Sequence, residues 1–362
     1  MKEKKSIKIL AYATLGSGSH DEIRIKSLTS SFCTHIYPFD RSKKFSSFLG
    51  IVRLAKSIRP SVIIQEGTGF WGGMALLWCR FVHGIPYIFS TGDAVGPFLS
   101  ARYPIFSFFF NAYEKILCRC SRGVIGWTPY LVGRAITLGA SRGVTAEGFA
   151  ITKGHPICKD KAKRELKEIL ELPKDSIIFG IVGSLKWSKR FGYCYGMELV
   201  RAIKKTSNHN VFVVIAGDGD GLFYLKKEAG DLVNKRIFFI GRIPYSKTIE
   251  FIKGLDFATL PQSCDQVGAL RYTTKVSEYI EAKTPFFTNQ IPMAYDLGIP
   301  FLKTLAGNNP WDTTFINELS KVMDNIKDPI FSFVEQEEIL NKEIFSLKNQ
   351  TKKISSFIED LI

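Results

Sequence analysis

The chain has 362 residues, of which 45% are hydrophobic, and it carries a formal net charge of +15 at pH 7. This length exceeds what a single hydrophobic core usually holds and predicts two domains. The positive charge favours an anionic partner, such as a nucleotide sugar, an acidic membrane surface or a nucleic acid. The basic clusters lack the aromatic interleaving of nucleic-acid binders, so we expect no nucleic acid. Apolar stretches are far shorter than the roughly 20 residues that cross a bilayer, which argues against an integral membrane protein.

Short β-rich runs alternate with longer helical patterns, which is typical of βαβ units around a parallel sheet. In the first half, strands are predicted at 7–12, 61–65, 87–90 and 123–126. Polar loops follow the first two of these strands. Open α/β sheets bind ligands at the carboxyl ends of their strands, so both loops should face a cleft. Their candidate cleft residues are Gly16, Ser17, Gly18, His20, Glu66 and Gly67.

Residues 102–113 are rich in aromatic side chains, with three consecutive phenylalanines at 108–110. A helix of this kind suits the headgroup boundary of a membrane. A helix buried between strands explains the same pattern, and we favour that interpretation. Contact with an anionic membrane surface is the alternative.

The polar, lysine-rich stretch at 150–172 is predicted as a hinge between a first domain at 1–150 and a second at 172–330. It contains a charged helix candidate at 161–170. Further strands are predicted at 177–182, 211–216, 237–240, 257–260 and 285–288, and the chain becomes helical after Trp311.

Metal-binding patterns are weak. Seven scattered cysteines without a Cys-x-x-Cys pair favour a reduced, cytoplasmic compartment. Asp218 and Asp220 could form an Asp-x-Asp metal pair, but the surrounding glycines favour a tight turn, and Leu222 does not fit a calcium loop. We therefore predict no metal and no cofactor.

The segment at 275–285 is the most informative part of the chain. The start of a helix favours phosphate through its free N–H groups and its dipole, and Lys275 adds a positive charge there. Glu278, one turn further, is suited to the paired hydroxyls of a ribose. The pattern predicts a nucleotide-binding helix.

Residues 274–285 resemble the donor-site helix of group 1 (family 4-like) glycosyltransferases of the GT-B fold. Four more segments resemble motifs of that family in the same order: a glycine loop at 179–192, a strand ending in Gly-Asp-Gly at 211–219, and strands at 237–244 and 256–262. The resemblance implies an α/β protein of two Rossmann-like, doubly wound parallel-sheet domains that face a cleft. It also implies a last helix, at about 331–362, that packs back on the first domain.

The resemblance further implies transfer of a sugar from a nucleotide-diphosphate donor to an acceptor hydroxyl, with retention and without a metal. The acceptor would be a glycan or a lipid-linked molecule of the cell envelope, bound by the first domain, and the protein could sit peripherally at the inner face of the membrane. Cationic side chains must neutralise the departing diphosphate, and Lys189 and Arg190 are the catalytic candidates. Expected donor contacts are Gly183, Ser184, Lys186, Gly241, Gly268, Lys275 and Glu278, with the loop at 265–268 close to the sugar.

Three positions depart from the family pattern. Ser184 stands where an arginine is common, so the basic pair is either Lys186 with Lys189 or Lys189 with Arg190. Leu270 replaces the first of two glutamates. Asp93 stands near the place of a histidine, where it could accept a hydrogen bond, act as a general base, or cap a helix. These departures leave open an epimerase or phosphorylase of the same fold, or a catalytically inactive nucleotide-sugar-binding scaffold.

Overall fold

The computed structural model describes residues 7–150, 157–296, 302–326 and 344–362. These residues form two compact units. Unit 1 comprises residues 7–148, 270–273 and 344–362, and unit 2 comprises the remaining described residues. Residues 151–156 of the predicted hinge and 331–343 of the predicted last helix lie outside the described ranges.

Unit 1 is built on a six-stranded parallel sheet in the order β2-β1-β3-β4-β5-β6. The central strands are apolar and buried because helices surround them. The strands are β1 (Lys8–Ala13), β2 (Cys33–Ile36), β3 (Val62–Glu66), β4 (Tyr87–Thr91), β5 (Gly123–Gly126) and β6 (Gly143–Thr145). The helices are α1 (His20–Leu28), α2 (Lys44–Ile58), α3 (Phe70–His83), α4 (Val95–Arg102), α5 (Ser107–Cys120), α6 (Pro129–Thr137) and, from the end of the chain, α14 (Leu347–Leu361).

Unit 2 contains a second six-stranded parallel sheet, in the order β12-β11-β10-β7-β8-β9. Its strands are β7 (Ile177–Val182), β8 (Val211–Ala216), β9 (Ile237–Gly241), β10 (Phe257–Leu260), β11 (Phe286–Thr288) and β12 (Leu302–Thr304). Its helices are α7 (Lys159–Ile169), α8 (Met197–Ile203), α9 (Leu222–Ala229), α10 (Thr248–Gly254), α11 (Thr274–Glu281), α12 (Pro292–Asp296) and α13 (Thr313–Asp324).

The predicted number of strands before residue 150 was wrong, because the sheet of unit 1 has six strands and not four. The two additional strands, β2 and β6, lie at the sheet edges, and none of their residues is fully buried. A partly buried edge strand does not need a continuous apolar run, which removes the sequence signal. The short edge strand β12 of unit 2 escaped prediction for the same reason.

Two segments fall in different units from those expected. Helix α7, predicted as part of the hinge, belongs to unit 2, where it packs against α10. Leu270–Thr273, expected in the second domain, belong to unit 1. At the other end of the chain, α14 packs against α1 of unit 1, and the Arg122 guanidinium donates to the carbonyl oxygen of Leu361 at 3.0 Å.

The favoured interpretation of residues 102–113 as a buried helix was wrong for half of its face. Phe110 and Tyr113 pack into unit 1, but Ile105 is 93% exposed and Phe108 is 89% exposed. One face of this segment therefore packs into the core, and its other face exposes apolar side chains to solvent.

Candidate functional site

In unit 2, most candidate residues lie at the topological switch point of the sheet. The chain first builds β7, β8 and β9 outward on one side, and then returns to place β10 on the other side of β7. The loops that follow β7 and β10 therefore meet at the carboxyl edge between these two strands, where such sheets bind ligands. The first loop carries Gly183, Ser184, Lys186, Lys189 and Arg190, and the second carries Gly268.

The loop after β7 is held by the Gly-Asp-Gly-Asp-Gly turn after β8. The Leu185 N–H donates to the carbonyl of Asp218 at 3.0 Å, and the Gly221 N–H donates to the carbonyl of Leu185 at 2.8 Å. A Cβ on Gly217 would lie 1.9 Å from the carbonyl oxygen of Gly183, so only glycine allows this approach. These glycines serve the packing of one loop on another.

Asp218 and Asp220 are engaged in hydrogen bonds to the backbone. Asp218 accepts from the Gly219 N–H at 2.8 Å, and Asp220 accepts from the Trp187 N–H at 2.7 Å. Within the described ranges, no group of three or more His, Cys, Asp or Glu residues could hold a metal ion. The two aspartates therefore act as turn-stabilising groups in this structure.

The basic residues of the loop after β7 are exposed. Lys186 and Lys189 form no hydrogen bond or ion pair with the described part of the chain, so their ammonium groups remain available for an anion. The Arg190 guanidinium lies 4.9 Å from the centre of the Phe191 ring, and this ring stacks on Trp311. Of the three cations, Arg190 is therefore the one that lies over an aromatic ring.

The loop after β10 folds around the carboxylate of Asp265. One oxygen of this group accepts from the Ser263 hydroxyl and from the N–H groups of Val267 and Gly268, each at 2.9 Å. Burial opposes ionisation of Asp265, but these hydrogen bonds and the nearby Arg190 lower its pKa below the ordinary value. The N–H groups of Val267 and Gly268 are thus occupied within the loop, and the expected proximity of this loop to a sugar stays a prediction.

Gly268 also has a packing role, because a Cβ there would lie 2.2 Å from the carbonyl oxygen of Ser263. Gly241 differs from it. This residue ends β9 with a φ of 72°, and a Cβ would meet nothing within 4 Å. Gly241 is therefore required by its backbone conformation and borders open space.

Glu278 lies in α11 and is 1% exposed. One oxygen, Oε2, pairs with the Lys275 ammonium at 2.5 Å, whereas the other, Oε1, has no hydrogen-bond partner among the described residues. Burial raises the pKa of Glu278, and Lys275 opposes this effect. Lys275, expected to supply a free charge for phosphate, is instead committed to Glu278.

Sequence reasoning missed Glu198, a fully buried carboxylate of α8. It accepts from the hydroxyls of Tyr193 at 2.6 Å and Thr259 at 2.8 Å, and burial raises its pKa. The Tyr279 hydroxyl donates to the carbonyl of Thr259, which links this network to α11. The sequence signal for this residue was a glutamate within the mainly apolar helix Met197–Ile203.

In unit 1, the switch point lies between β1 and β3, and the predicted loops meet there. The loop after β1 is organised by the start of α1. Ser19 caps this helix by accepting from the Glu22 N–H at 3.2 Å, and Glu22 accepts from the Gly18 N–H at 2.9 Å. Gly16 and Gly18 have φ values of 96° and 74°, so both glycines are needed by the turn itself.

Glu66 ends β3 and is completely buried. The Trp127 indole donates to one carboxylate oxygen at 2.9 Å, and the Ser90 hydroxyl donates to the other at 2.8 Å. The Arg24 guanidinium, also fully buried, lies 3.4 Å from that second oxygen. Glu66 therefore has both oxygens engaged and holds β3, β4 and α1 together.

Asp93 follows β4 and pairs with the Arg271 guanidinium at 2.9 Å. The proposed capping role is wrong, because the N-cap position of α4 is Ala94. The Val95 N–H instead donates to the carboxylate of Glu114, which is itself paired with Arg134. Asp93 is thus free of a helix-capping role, and about a quarter of its side chain is exposed.

Leu270, at the position expected for the missing glutamate, packs with Ala94, Trp127 and Leu131. Its carbonyl oxygen accepts from the Thr128 hydroxyl at 2.6 Å. Leu270 is a packing residue of unit 1, and the chain has no carboxylate at this point.

Sequence reasoning also missed Asp21, in the first turn of α1. It lines a cavity of about 290 Å³ in unit 1 together with Glu66, Gly67 and Asp93. Burial, reinforced by Glu66, raises the pKa of Asp21 to about 7, and the positive charge of Arg24 opposes the shift. Its place directly after the predicted cleft residue His20 was the only sequence signal.

Comparison with known proteins identifies the region that contains the unit 2 site. Residues 162–325 match the family described as glycosyl transferases group 1. An uncharacterized glycosyltransferase of Methanocaldococcus jannaschii, MJ1069, is 32% identical over 111 residues. That alignment covers 29% of this chain and 26% of the relative, so the chain spans about a quarter of the relative's length.

Solved structures match over nearly the whole chain. HepE of Anabaena, in complex with UDP and glucose, has a TM-score of 0.71 at 14% identity, with 98% of this chain and 100% of that chain covered. Sucrose-phosphate synthase of Thermosynechococcus elongatus has a TM-score of 0.70 at 13% identity, with 98% of each chain covered. The predicted fold of two Rossmann-like domains, GT-B, is confirmed.

Proposed function

We propose that this protein transfers a sugar from a nucleotide-diphosphate donor to an acceptor hydroxyl, because residues 162–325 match the group 1 glycosyl transferases. The reaction is retaining and metal-independent, and it serves glycan or cell-envelope polysaccharide synthesis. Unit 2 binds the donor, and unit 1 binds a glycan or lipid-linked acceptor. HepE, whose fold this chain shares, was solved with UDP and glucose, which supports a nucleotide sugar as donor.

The observation that carries the donor proposal is the unsatisfied oxygen of Glu278. A buried carboxylate oxygen without a donor costs free energy unless a ligand supplies one. Oε1 of Glu278 is such an atom, and its partner oxygen is fixed by Lys275. The hydroxyls of a ribose are suitable donors, and this is the role that acidic residues have in dinucleotide-binding folds.

The exposed cations of unit 2 are suited to stabilising the departing diphosphate. A departing nucleoside diphosphate develops negative charge, which positioned cations stabilise. Lys186, Lys189 and Arg190 follow β7 at the switch point of the sheet, and Lys186 and Lys189 have no anionic partner in the described part of the chain. We assign the leaving-group contacts to these residues, with Lys189 foremost.

Thermal unfolding with a panel of UDP-, GDP-, ADP- and dTDP-sugars tests the donor site. A ligand at 100 times its Kd stabilises a protein by roughly 2.7 kcal/mol, so the correct donor should raise the Tm with or without magnesium. The Glu278→Gln variant should bind this donor about tenfold more weakly, because it loses a charge-assisted hydrogen bond. Glu281→Gln, on the same helix but exposed, is the matched control and should behave like the wild type.

Absence of a shift with every nucleotide would reject the donor proposal, as would equal behaviour of the two glutamine variants. Incubating the bound donor without acceptor separates the alternatives of the same fold. An epimerised sugar would identify an epimerase, and a sugar phosphate formed with added inorganic phosphate would identify a phosphorylase. Donor binding without turnover on any tested acceptor would support an inactive scaffold.

We also propose that unit 1 contacts an anionic membrane surface. Its aromatic patch is formed by exposed side chains of α2, of α3, of the turn Pro104–Phe106 and of the start of α5. It consists of Phe45, Trp78, Phe81, Ile105, Phe106, Phe108 and Phe109. Rings beneath it connect the three helices: Phe45 contacts Trp71 at 5.1 Å, Trp71 contacts Phe70 at 5.7 Å, and Phe70 contacts Phe109 at 5.9 Å. Exposed apolar surface of this extent is typical of an interaction site.

Charge supports a lipid surface as the occupant of the aromatic patch. Residues 41–59, 70–83 and 95–113, which supply it, contain no Asp or Glu. They contain exposed cations, among them Lys43, Lys44 and Arg102. Aromatic side chains bordered by Lys and Arg bind at the interface of anionic bilayers. No helix within the described ranges has the length and apolarity needed to cross a bilayer.

A further inference from the structure

The cavity of unit 1 lies where several strands of the sheet end. Its walls come from the segments that follow β1, β3 and β4, from α1, and from residues 271–273. All of these belong to the same unit. The cavity has a volume of about 290 Å³, which is enough for one small ring and its substituents.

The three carboxylates around the cavity differ in what they bind. Glu66 has both oxygens engaged by Trp127 and Ser90, and Asp93 is paired with Arg271. Asp21 is only 9% exposed, yet its side chain receives no hydrogen bond from the described residues. Buried carboxylates normally accept several hydrogen bonds, and Asp21 lines the cavity, so its oxygens can accept hydrogen bonds from a ligand bound there.

The charges around Asp21 offset one another. Glu66 and Asp93 contribute negative charge, and Arg24 and Arg41 contribute positive charge to the surroundings of Asp21. Arg271 adds a further guanidinium beside Asp93. The charged residues that line the cavity are Asp21, Glu66, Asp93 and Arg271. Glu66 and Asp93 are each paired with an arginine, which leaves little net charge to attract a strongly charged ligand, and the apolar walls include Trp127 and Phe98.

We propose that this cavity is a subsite for a neutral, hydroxyl-bearing sugar ring of the acceptor, and that Asp21 positions the ring by accepting a hydrogen bond from one of its hydroxyls. Hydroxyls supply hydrogen-bond donors for Asp21, and the carbon face of a sugar suits the apolar walls. The inference rests on the proposed transferase function and defines the acceptor class that unit 1 binds.

Ionisation of Asp21 gives the subsite a distinctive pH dependence. Burial raises the pKa of Asp21 to about 7, with further contributions from Glu66 and Asp93, while Arg24 and Arg41 act in the opposite direction. Above this pH the group is a carboxylate whose two oxygens both accept hydrogen bonds. Below it, one oxygen carries a proton and accepts less well. Sugar binding should therefore strengthen as pH rises through 7.

Saturation-transfer NMR on the full chain, in the presence of UDP, tests the subsite. The probes are neutral glucose, galactose, mannose and N-acetylglucosamine, with glucosamine and glucuronate as charged comparisons. We expect at least one neutral sugar to bind, with higher affinity at about pH 8 than at about pH 6. Asp21→Asn should bind it about tenfold more weakly and without this pH dependence. Asp231→Asn, an exposed aspartate of unit 2, is the control and should match the wild type.

Three results would overturn the inference: exclusive binding of a charged sugar, no sugar binding while UDP still raises the Tm, or wild-type affinity and pH profile in Asp21→Asn. The second result leaves the donor proposal intact, because it separates the acceptor subsite from the nucleotide site. Folding of Asp21→Asn is checked by its thermal unfolding, and the substitution removes a carboxylate whose ionised form burial disfavours.

Discussion

Lys189 and Glu278 contribute to the proposed reaction in different ways because their environments differ. Glu278 is buried and can hold a neutral part of the donor throughout the reaction, whereas Lys189 is exposed and has no anionic partner in the described ranges. Only interactions that strengthen in the transition state raise the rate of the chemical step. The charge on a departing diphosphate grows during the reaction, so the interaction of Lys189 with it strengthens in the transition state.

Lys189→Ala should therefore lower kcat by about a hundredfold while the Kd of the donor changes little. Steady-state kinetics with the donor identified by thermal unfolding, together with calorimetric binding, measure the two quantities separately. Lys227→Ala removes an exposed lysine from α9 and serves as the control. An unchanged kcat in Lys189→Ala would remove this residue from the catalytic assignment and move it to Lys186 or Arg190.

At the scale of the element, α1 links the stability of unit 1 to the geometry of the cavity. Its N-terminus is held by the Ser19 side chain, and the reciprocal contact of Glu22 with the Gly18 N–H closes the preceding loop. Asp21 and Arg24 follow on the same helix. A change at the cap therefore alters both helix stability and the position of Asp21.

Ser19→Ala should destabilise the protein by about 1 kcal/mol, because a helix N–H loses its acceptor. Urea unfolding monitored by circular dichroism measures the change. Ser19→Asp, which restores a side-chain oxygen at the cap, should recover the wild-type stability. If Ser19→Asp were as destabilised as Ser19→Ala, the cap would not be the source of the effect.

At the scale of the whole molecule, the exposed aromatic patch and the positive net charge act together. In the proposed membrane contact, the net charge of +15 provides the attraction to an anionic surface, and the patch provides the apolar area that enters the interface. Electrostatic attraction is screened by salt, whereas burial of aromatic side chains is not. The two contributions can therefore be measured separately.

The double variant Ile105→Ser/Phe108→Ser should reduce binding to anionic liposomes at least about tenfold, since each side chain loses part of a burial free energy of roughly 1.5–3 kcal/mol. Co-sedimentation at low and high salt measures it. Phe223→Ser alters a phenylalanine of unit 2 that is 69% exposed and is the control. Absence of wild-type binding at both salt concentrations would reject the membrane proposal.

Much of the architecture could be predicted from the sequence. Strands such as β4 and β8 are buried on both faces, so nearly every residue in them is apolar and the run is visible. The matched family region and the GT-B fold followed from the order of five such motifs. The edge strands β2, β6 and β12 could not be found this way, because partial burial does not require an apolar run.

The tertiary structure alone decided which polar groups are already satisfied. The sequence determined that Lys275 and Glu278 share a helix face, but only packing showed that they pair and leave one oxygen of Glu278 without a donor. Likewise, nothing in the sequence around Asp21 distinguishes it from other aspartates. Its charged neighbours in the structure are Glu66, Asp93, Arg24 and Arg41, which are distributed between residues 24 and 93. Local patterns specify helices and strands because their periodicity is short, whereas the burial and charge that tune a site depend on residues that only the fold brings together.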